Sequence, residues 1–240
     1  MRTFLILLIM SSANFFAQKT LNPNNVKPES KFIKNEISDA VWYAENGDQK
    51  IEIGKITTEI KKVDKTKLLI KTTVKMNQAP GKPWVDSTVV RVSDFQPIYH
   101  SSYNLMRDMV LNFGQNKATG YYFDKKSQKK DQIDEKISTQ YFDSNSYPAL
   151  IRFLPLKEHY SADIPIFDYN PAAKKGVIKA YIEDVTSGEL NGKKVWIVKT
   201  TDDIQDRKTV STYFIDKSTR EVLKQEIDAG GRKMVIESVK

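Results

Sequence analysis

Lys67-Leu68-Leu69-Ile70-Lys71-Thr72-Thr73-Val74-Lys75-Met76 alternates strictly between two kinds of side chain. Successive residues of an extended strand point to opposite faces, so Leu68, Ile70, Thr72, Val74 and Met76 share one face. Lys67, Leu69, Lys71, Thr73 and Lys75 take the other. One apolar face backed by one wet face is the signature of an antiparallel sheet covered on a single side.

Working outward, the same pattern recurs on both flanks. Ile51 and Ile53 share one phase, whereas Ile56, Thr58 and Ile60 share the opposite one, with Gly54 between. One extra residue in the ladder restores both sets to the core side, so a β-bulge is expected near Gly54. Asn46-Gly47 ahead of this strand is a tight-hairpin signal. Downstream, Met109, Leu111 and Phe113 alternate, then Thr119, Tyr121 and Phe123, with Gly114 to Lys117 as the turn. The lysine-rich stretch from Asp124 to Gln132 reads as an exposed loop. Further strands are expected over Val177 to Val185, Val195 to Thr200, Thr209 to Ile215, Val222 to Ile227 and Met234 to Val239. The turns between them carry Gly, Asn, Asp and Ser, which suits a continuous meander.

One segment breaks the strand pattern. Asp143-Ser144-Asn145-Ser146 is a cluster of helix-capping residues, and Pro148 fits a first helical turn, where its missing N–H costs nothing. Leu150, Ile151, Phe153 and Leu154 cover most of a short helix that Pro155 ends. A helix this apolar is expected to be buried against the sheet.

The first residues carry an export leader. Arg2 precedes an unbroken apolar run from Phe4 to Met10, and cleavage is expected after Ala17 or Gln18. That run falls short of the ~20 residues that span a bilayer. The chain has no cysteine, so neither a lipidated N-terminus nor a disulfide is expected. These features divide the chain into a signal peptide over 1–18, a flexible leader over 19–31 with Pro23 and Pro28, and a single β-rich domain over 32–240. Periplasmic or otherwise exported localisation follows, with no transmembrane span in the mature chain.

Hydrophobic residues make up 40% of the 240 and charged residues 28%, a globular composition. The net charge of +8 falls by one when Arg2 is removed, and the lysines are spread along the strands. A nucleic-acid partner would need a concentrated basic patch, so none is expected.

The sequence is poor in catalytic constellations. Gly-x-Ser-x-Gly, P-loop and His-Glu-x-x-His motifs are absent. His100 is expected on a wet face with Ser102, opposite Tyr99, Ser101 and Tyr103, and His159 in a charged loop. Neither is expected to catalyse, and replacing both with Gln is expected to leave stability unchanged. The acidic groups Asp131, Asp134, Glu135 and Asp202, Asp203, Asp206 read as solvated turn ends, with calcium at the second group the weaker alternative. Tyr99, Tyr103, Tyr121 and Tyr122, with Trp84, either line a ligand groove or pack across strands. No catalytic residue, metal ligand or cofactor is therefore assigned, and the ligand-binding residues stay open.

Two segments carry a resemblance. Asp143 to Leu156 reads as a capped helix followed by Leu-Pro-Leu, and Tyr213 to Leu223 as a hairpin on Asp216-Lys217-Ser218-Thr219. Together they resemble an exported, β-rich bacterial family known as the domain of unknown function DUF3108. The resemblance implies an architecture similar to LolA-like lipoprotein carriers: mostly β, a curved antiparallel sheet or half-open barrel with the short helix packed against it. It implies no catalytic residue. The function expected from it is non-enzymatic, an envelope protein that holds an apolar ligand or lipid in the concave face of its sheet. The alternatives are an envelope scaffold that binds a partner protein through its sheet edges and, third, an envelope hydrolase.

Overall fold

The computed structural model describes residues 19–171 and 173–239. The expected export leader, with Phe4 to Met10 and the expected cleavage point, lies outside the described residues. The strands are β1 (Lys19–Thr20), β2 (Glu36–Asn46), β3 (Gln49–Lys62), β4 (Lys67–Met76), β5 (Trp84–Arg91), β6 (Pro97–Tyr103), β7 (Arg107–Phe113) and β8 (Lys117–Asp124). They continue with β9 (Lys129–Lys136), β10 (Phe142–Asp143), β11 (Ala162–Tyr169), β12 (Lys175–Leu190), β13 (Lys193–Asp202), β14 (Thr209–Asp216), β15 (Val222–Ala229) and β16 (Arg232–Val239). One α-helix, α1 (Tyr147–Phe153), interrupts them. No helix among the described residues is long and apolar enough to cross a membrane.

All these strands form one sheet, in the order β1-β11-β12-β13-β14-β15-β16-β2-β3-β4-β5-β6-β7-β8-β9, with β10 also on β11. The long strands pair antiparallel, whereas β1 and β10 run parallel to β11. The final strand β16 returns beside β2, so the two halves of the chain become one surface.

Two cores show how that surface is bent. In the first, Leu150, Ile151, Phe153 and Leu154 pack against Ile60, Leu68, Val90, Phe95, Ile164 and Ile182. In the second, Met109, Leu111 and Ile133 from β7 to β9 pack against Phe167 and Tyr169 of β11. Ile164 and Phe167 lie on opposite faces of β11, so this strand is buried on both sides. The sheet therefore coils past itself: its β7–β9 end overlaps the outer face of β11 instead of joining it edge to edge. Burying one side chain the size of Phe167 contributes ~1.5–3 kcal/mol, so the overlap is held by apolar area and needs no ladder.

The expected bulge is present. Trp42 pairs with Gly54 and Tyr43 with Glu52, leaving Ile53 as the extra residue. Glycine is required there because a Cβ on Gly54 would stand 2.7 Å from the Lys75 carbonyl oxygen. The helix also forms as expected, with Pro148 in its first turn and Leu150, Ile151 and Phe153 fully buried.

Three expectations are corrected. Residues 19–31 are not a loose leader: β1 pairs with β11, Leu21 and Val26 enter the first core, and the Glu29 amide donates to the Phe153 carbonyl at 2.7 Å. The Asp124 to Gln132 segment is a hairpin with its turn, including Lys125 and Lys126, at 125–128, and Lys129 and Lys130 belong to paired β9. On β8 the core phase is Ala118, Gly120 and Tyr122, opposite Phe113, Leu111 and Met109, so Thr119, Tyr121 and Phe123 face outward. One strand, β11, is not among those expected, and it carries Pro165. Its neighbours on that side pair only at residues 162–163 and 166–167, so the missing N–H falls in the gap between them.

Candidate functional site

Where the coil overlaps, a polar network is buried between the two cores. Thr88 on β5 and His100 on β6 face each other across the ladder, on the side that carries Ile70 and Leu111. His100 is 4% exposed and Asp143 is 0% exposed. The His100 Nδ1 lies 2.9 Å from Asp143 Oδ1, and the Thr88 hydroxyl donates to Asp143 Oδ2 at 3.0 Å. Asn145 in turn donates to the Thr88 hydroxyl at 3.0 Å, and Ser144 to Asp168 at 2.8 Å. The β10–α1 connection is thereby fastened to the β5–β6 ladder.

This placement overturns the wet-face expectation for His100. Alternation assigns His100 and Ser102 correctly to one face, but the coil covers that face. Asp143, expected to cap the helix, instead orients the imidazole; Ser146 is the residue before α1, and its side chain makes no cap bond. Burial pushes the His100 pKa down, but the Asp143 charge, its hydrogen bond and the Asp86 charge outweigh this, and the net direction is above 6.5. Burial raises the Asp168 carboxyl, opposed by the Ser144 hydrogen bond.

His159 stays where the sequence puts it. Its side chain is 82% exposed, 3.5 Å from the Asp184 carboxylate. The acidic groups do not converge on a metal. Asp202 accepts from the Ile204 amide and the Tyr147 hydroxyl, Asp203 from Tyr181, and Asp206 pairs with Lys174 at 2.6 Å. Asp131 and Asp134 pair with Lys129 and Lys117. Among the described residues no group of three or more ligating side chains could hold a metal ion. The aromatic set is split by alternation. Tyr99, Tyr103 and Tyr121 meet on the convex face, where burial and the neighbouring tyrosines push Tyr103 up to about 12. Tyr122 and Trp84 face inward, the first against Tyr169 and the second donating to the Ser102 hydroxyl at 3.3 Å.

Beside the network the inner face of the sheet changes character. At the end plugged by α1, Ile60, Leu68 and Val90 are 1% exposed or less. Further along the same strands Ile56, Thr58, Thr72, Met76 and Trp84 are half-exposed, as are Trp42 and Ile236. Ser38 and Ile51, also on the inner side by register, are exposed. The helix fills one half of the coil and leaves the other half open. Two surface clefts, of about 420 Å³ beside Met76 and Pro80 and about 670 Å³ beside Lys117 and Ile137, lie away from His100.

Residues 40–237 match a family model described as a protein of unknown function, DUF3108. The chain belongs to the DUF3108 family. The match spans both the meander and the helix, and so bears out the resemblance carried by Asp143 to Leu156 and Tyr213 to Leu223. The DUF3108 fold is also similar to the crystal structure of a β-barrel-like protein of domain of unknown function DUF1849 from Brucella abortus. That likeness has a TM-score of 0.52 at 12% identity, over 93% of this chain and 98% of the other. A DUF1329 family protein from Desulfovibrio piger ATCC 29098 gives a TM-score of 0.30 at 9% identity, over 88% and 86%. No curated protein matches the chain.

Sequence reasoning missed Asp86, Thr88, Asp143 and Asp168 as members of one network, with Arg107, which reaches the Ser102 hydroxyl at 3.4 Å, at its border. A signal was present in Trp84-Val85-Asp86-Ser87-Thr88-Val89-Val90, where Asp86 and Thr88 share the phase of the fully buried Val90. A polar residue at a core-phase position is either a rim residue or a buried partner, and only the pairing partner decides which.

Proposed function

We propose that this protein is an exported, non-enzymatic binder of an amphiphile, held on the inner face of the open half of its sheet. The observation that carries the reading is the gradient of exposure along β3 to β5. Apolar side chains of the same face are sealed under α1 and, apart from Val74 at 8%, half-exposed beyond it, an arrangement that leaves apolar area for a ligand to cover. The wall is mixed: Trp42, Ile56, Met76 and Trp84 share the inner side with Thr58, Thr72, Ser211 and Gln225, the last two linked at 3.3 Å. A ligand with both an acyl chain and a polar part suits that wall better than a plain hydrocarbon.

Two rival readings have less support. A scaffold that adds a partner strand needs a free, uncharged edge. Here β1 and β10 cover the edge of β11, and β9 carries Lys129, Lys130, Asp131, Asp134, Glu135 and Lys136, which disfavour strand addition. A hydrolase would use His100 and Asp143 as base and orienting acid, but no hydroxyl hydrogen-bonds to the other ring nitrogen, Nε2. The test is native mass spectrometry of protein purified from the exported fraction, with a fluorescent fatty-acid titration of Met76→Glu alongside. Copurified lipid and at least tenfold weaker binding by the variant are expected; a ligand-free protein that binds neither acyl probe nor lipid extract refutes the reading.

A further inference from the structure

Ser102 stands at the centre of a second set of polar groups on the inner face. Asp86 faces it across the β5–β6 ladder, His100 lies two residues away on the same side of β6, and the Arg107 Nη2 reaches its hydroxyl at 3.4 Å. Each of these three neighbours has one buried atom without a hydrogen-bond partner: Asp86 Oδ1, His100 Nε2 and Arg107 Nε. The His100 side chain is 5% exposed, and its other nitrogen is committed to Asp143. A buried polar atom left unpaired is costly, so three around one side chain mark a place where a further polar group belongs.

The inventory of donors and acceptors selects that group. Asp86 Oδ1 needs a donor, Arg107 Nε–H needs an acceptor, and His100 Nε2–H needs a second acceptor when the ring is charged. An ammonium supplies donors only, and a carboxylate acceptors only. A hydroxyl has one O–H and two lone pairs, which matches the set one for one. Charge points the same way. The carboxylates of Asp86, Asp143 and Asp168 outnumber Arg107 and His100, so an anionic headgroup is disfavoured.

We infer that Asp86, His100 and Arg107 form a subsite for one hydroxyl group of the bound amphiphile. The inference rests on the reading of the open half as an amphiphile site, and the ligand class is an acyl chain with an uncharged, hydroxyl-bearing head. The carboxylate accepts from the ligand O–H, while the guanidinium and the imidazole donate to its oxygen. Asp143 acts as a positioning residue, fixing which ring nitrogen faces the ligand.

The test compares 1-monooleoylglycerol, methyl oleate, oleate and oleylamine by tryptophan fluorescence titration of the mature chain. Monooleoylglycerol is expected to bind at least about tenfold more tightly than methyl oleate, which shares its ester and chain but has no donor. Asp86→Ala is expected to bring that ratio within about twofold of one while methyl oleate affinity holds, and Asp86→Asn, which keeps an acceptor oxygen, to preserve most of it. Thermal melts of both variants establish that they fold, and if Asp86→Ala does not, Arg107→Met takes its place with the same expectation. A ratio near one in the native protein means that water alone fills the subsite; it overturns the hydroxyl assignment and leaves the amphiphile reading intact. Tighter binding of oleate or oleylamine, or a high ratio that survives the substitution, overturns the assignment too. Failure of all four to bind overturns the amphiphile reading itself.

Discussion

Asp143→Ala isolates the contribution of the seam between the two cores. The substitution removes a fully buried carboxylate that accepts from His100 at 2.9 Å and Thr88 at 3.0 Å, and leaves the His100 Nδ1 and the Thr88 hydroxyl proton without an acceptor. Breaking a buried ion pair from one side costs about 3–5 kcal/mol, a large part of a typical margin of about 5–15 kcal/mol. For a chain of this size each kcal/mol moves the melting temperature by about 2–4 °C, so a fall of roughly 6–20 °C is expected. The loss also has a pH signature. Because the folded His100 pKa lies above 6.5, its contribution is complete below about pH 6.5 and disappears as pH rises through the raised folded value. Urea unfolding at several pH values between about 6 and 9 should therefore show native stability declining toward the alkaline end, with that decline flattened in Asp143→Ala. The exposed His159 supplies the control, since His159→Gln should stay within about 0.5 kcal/mol of native. If Asp143→Ala unfolds within about 0.5 kcal/mol of native, or keeps the native pH profile, the seam does not rest on this pair.

Two further substitutions probe the elements on either side of the seam. Leu154→Asp puts an unpaired carboxylate into a position 1% exposed beneath the sheet, and circular dichroism should show a chain that does not fold, because the desolvation cost of several kcal/mol takes most of the margin. Gly120→Ala would place a Cβ 1.9 Å from the Val110 carbonyl oxygen in the β7–β8 hairpin, so a loss of at least about 1–3 kcal/mol is expected in urea unfolding, and native-like stability would mean that the two strands separate easily there.

Much of the architecture was legible before any coordinates. The alternation of Leu68 to Met76, the phase slip at Gly54 and the proline-bounded run from Leu150 to Leu154 are local signals, because strand pleat, bulge and helix end are set by a few consecutive residues. They were enough for a one-sided antiparallel sheet with a buried helix. Lysine content misled at Asp124 to Gln132, since an edge strand shields itself with the same charges that mark a loop. Prolines misled at 19–31, where Leu21 and Val26 are anchored by a strand more than 130 residues away. The tertiary structure alone decided what covers each face. His100 and Ser102 share a face by sequence, but whether that face meets water depends on the β7–β9 end coiling over β11 and bringing Asp143 from 43 positions away. Period-two patterning states which residues lie together and carries no term for what lies above them. The fold class was therefore written in the chain, and the buried network beside the open half of the sheet was settled only when distant segments met.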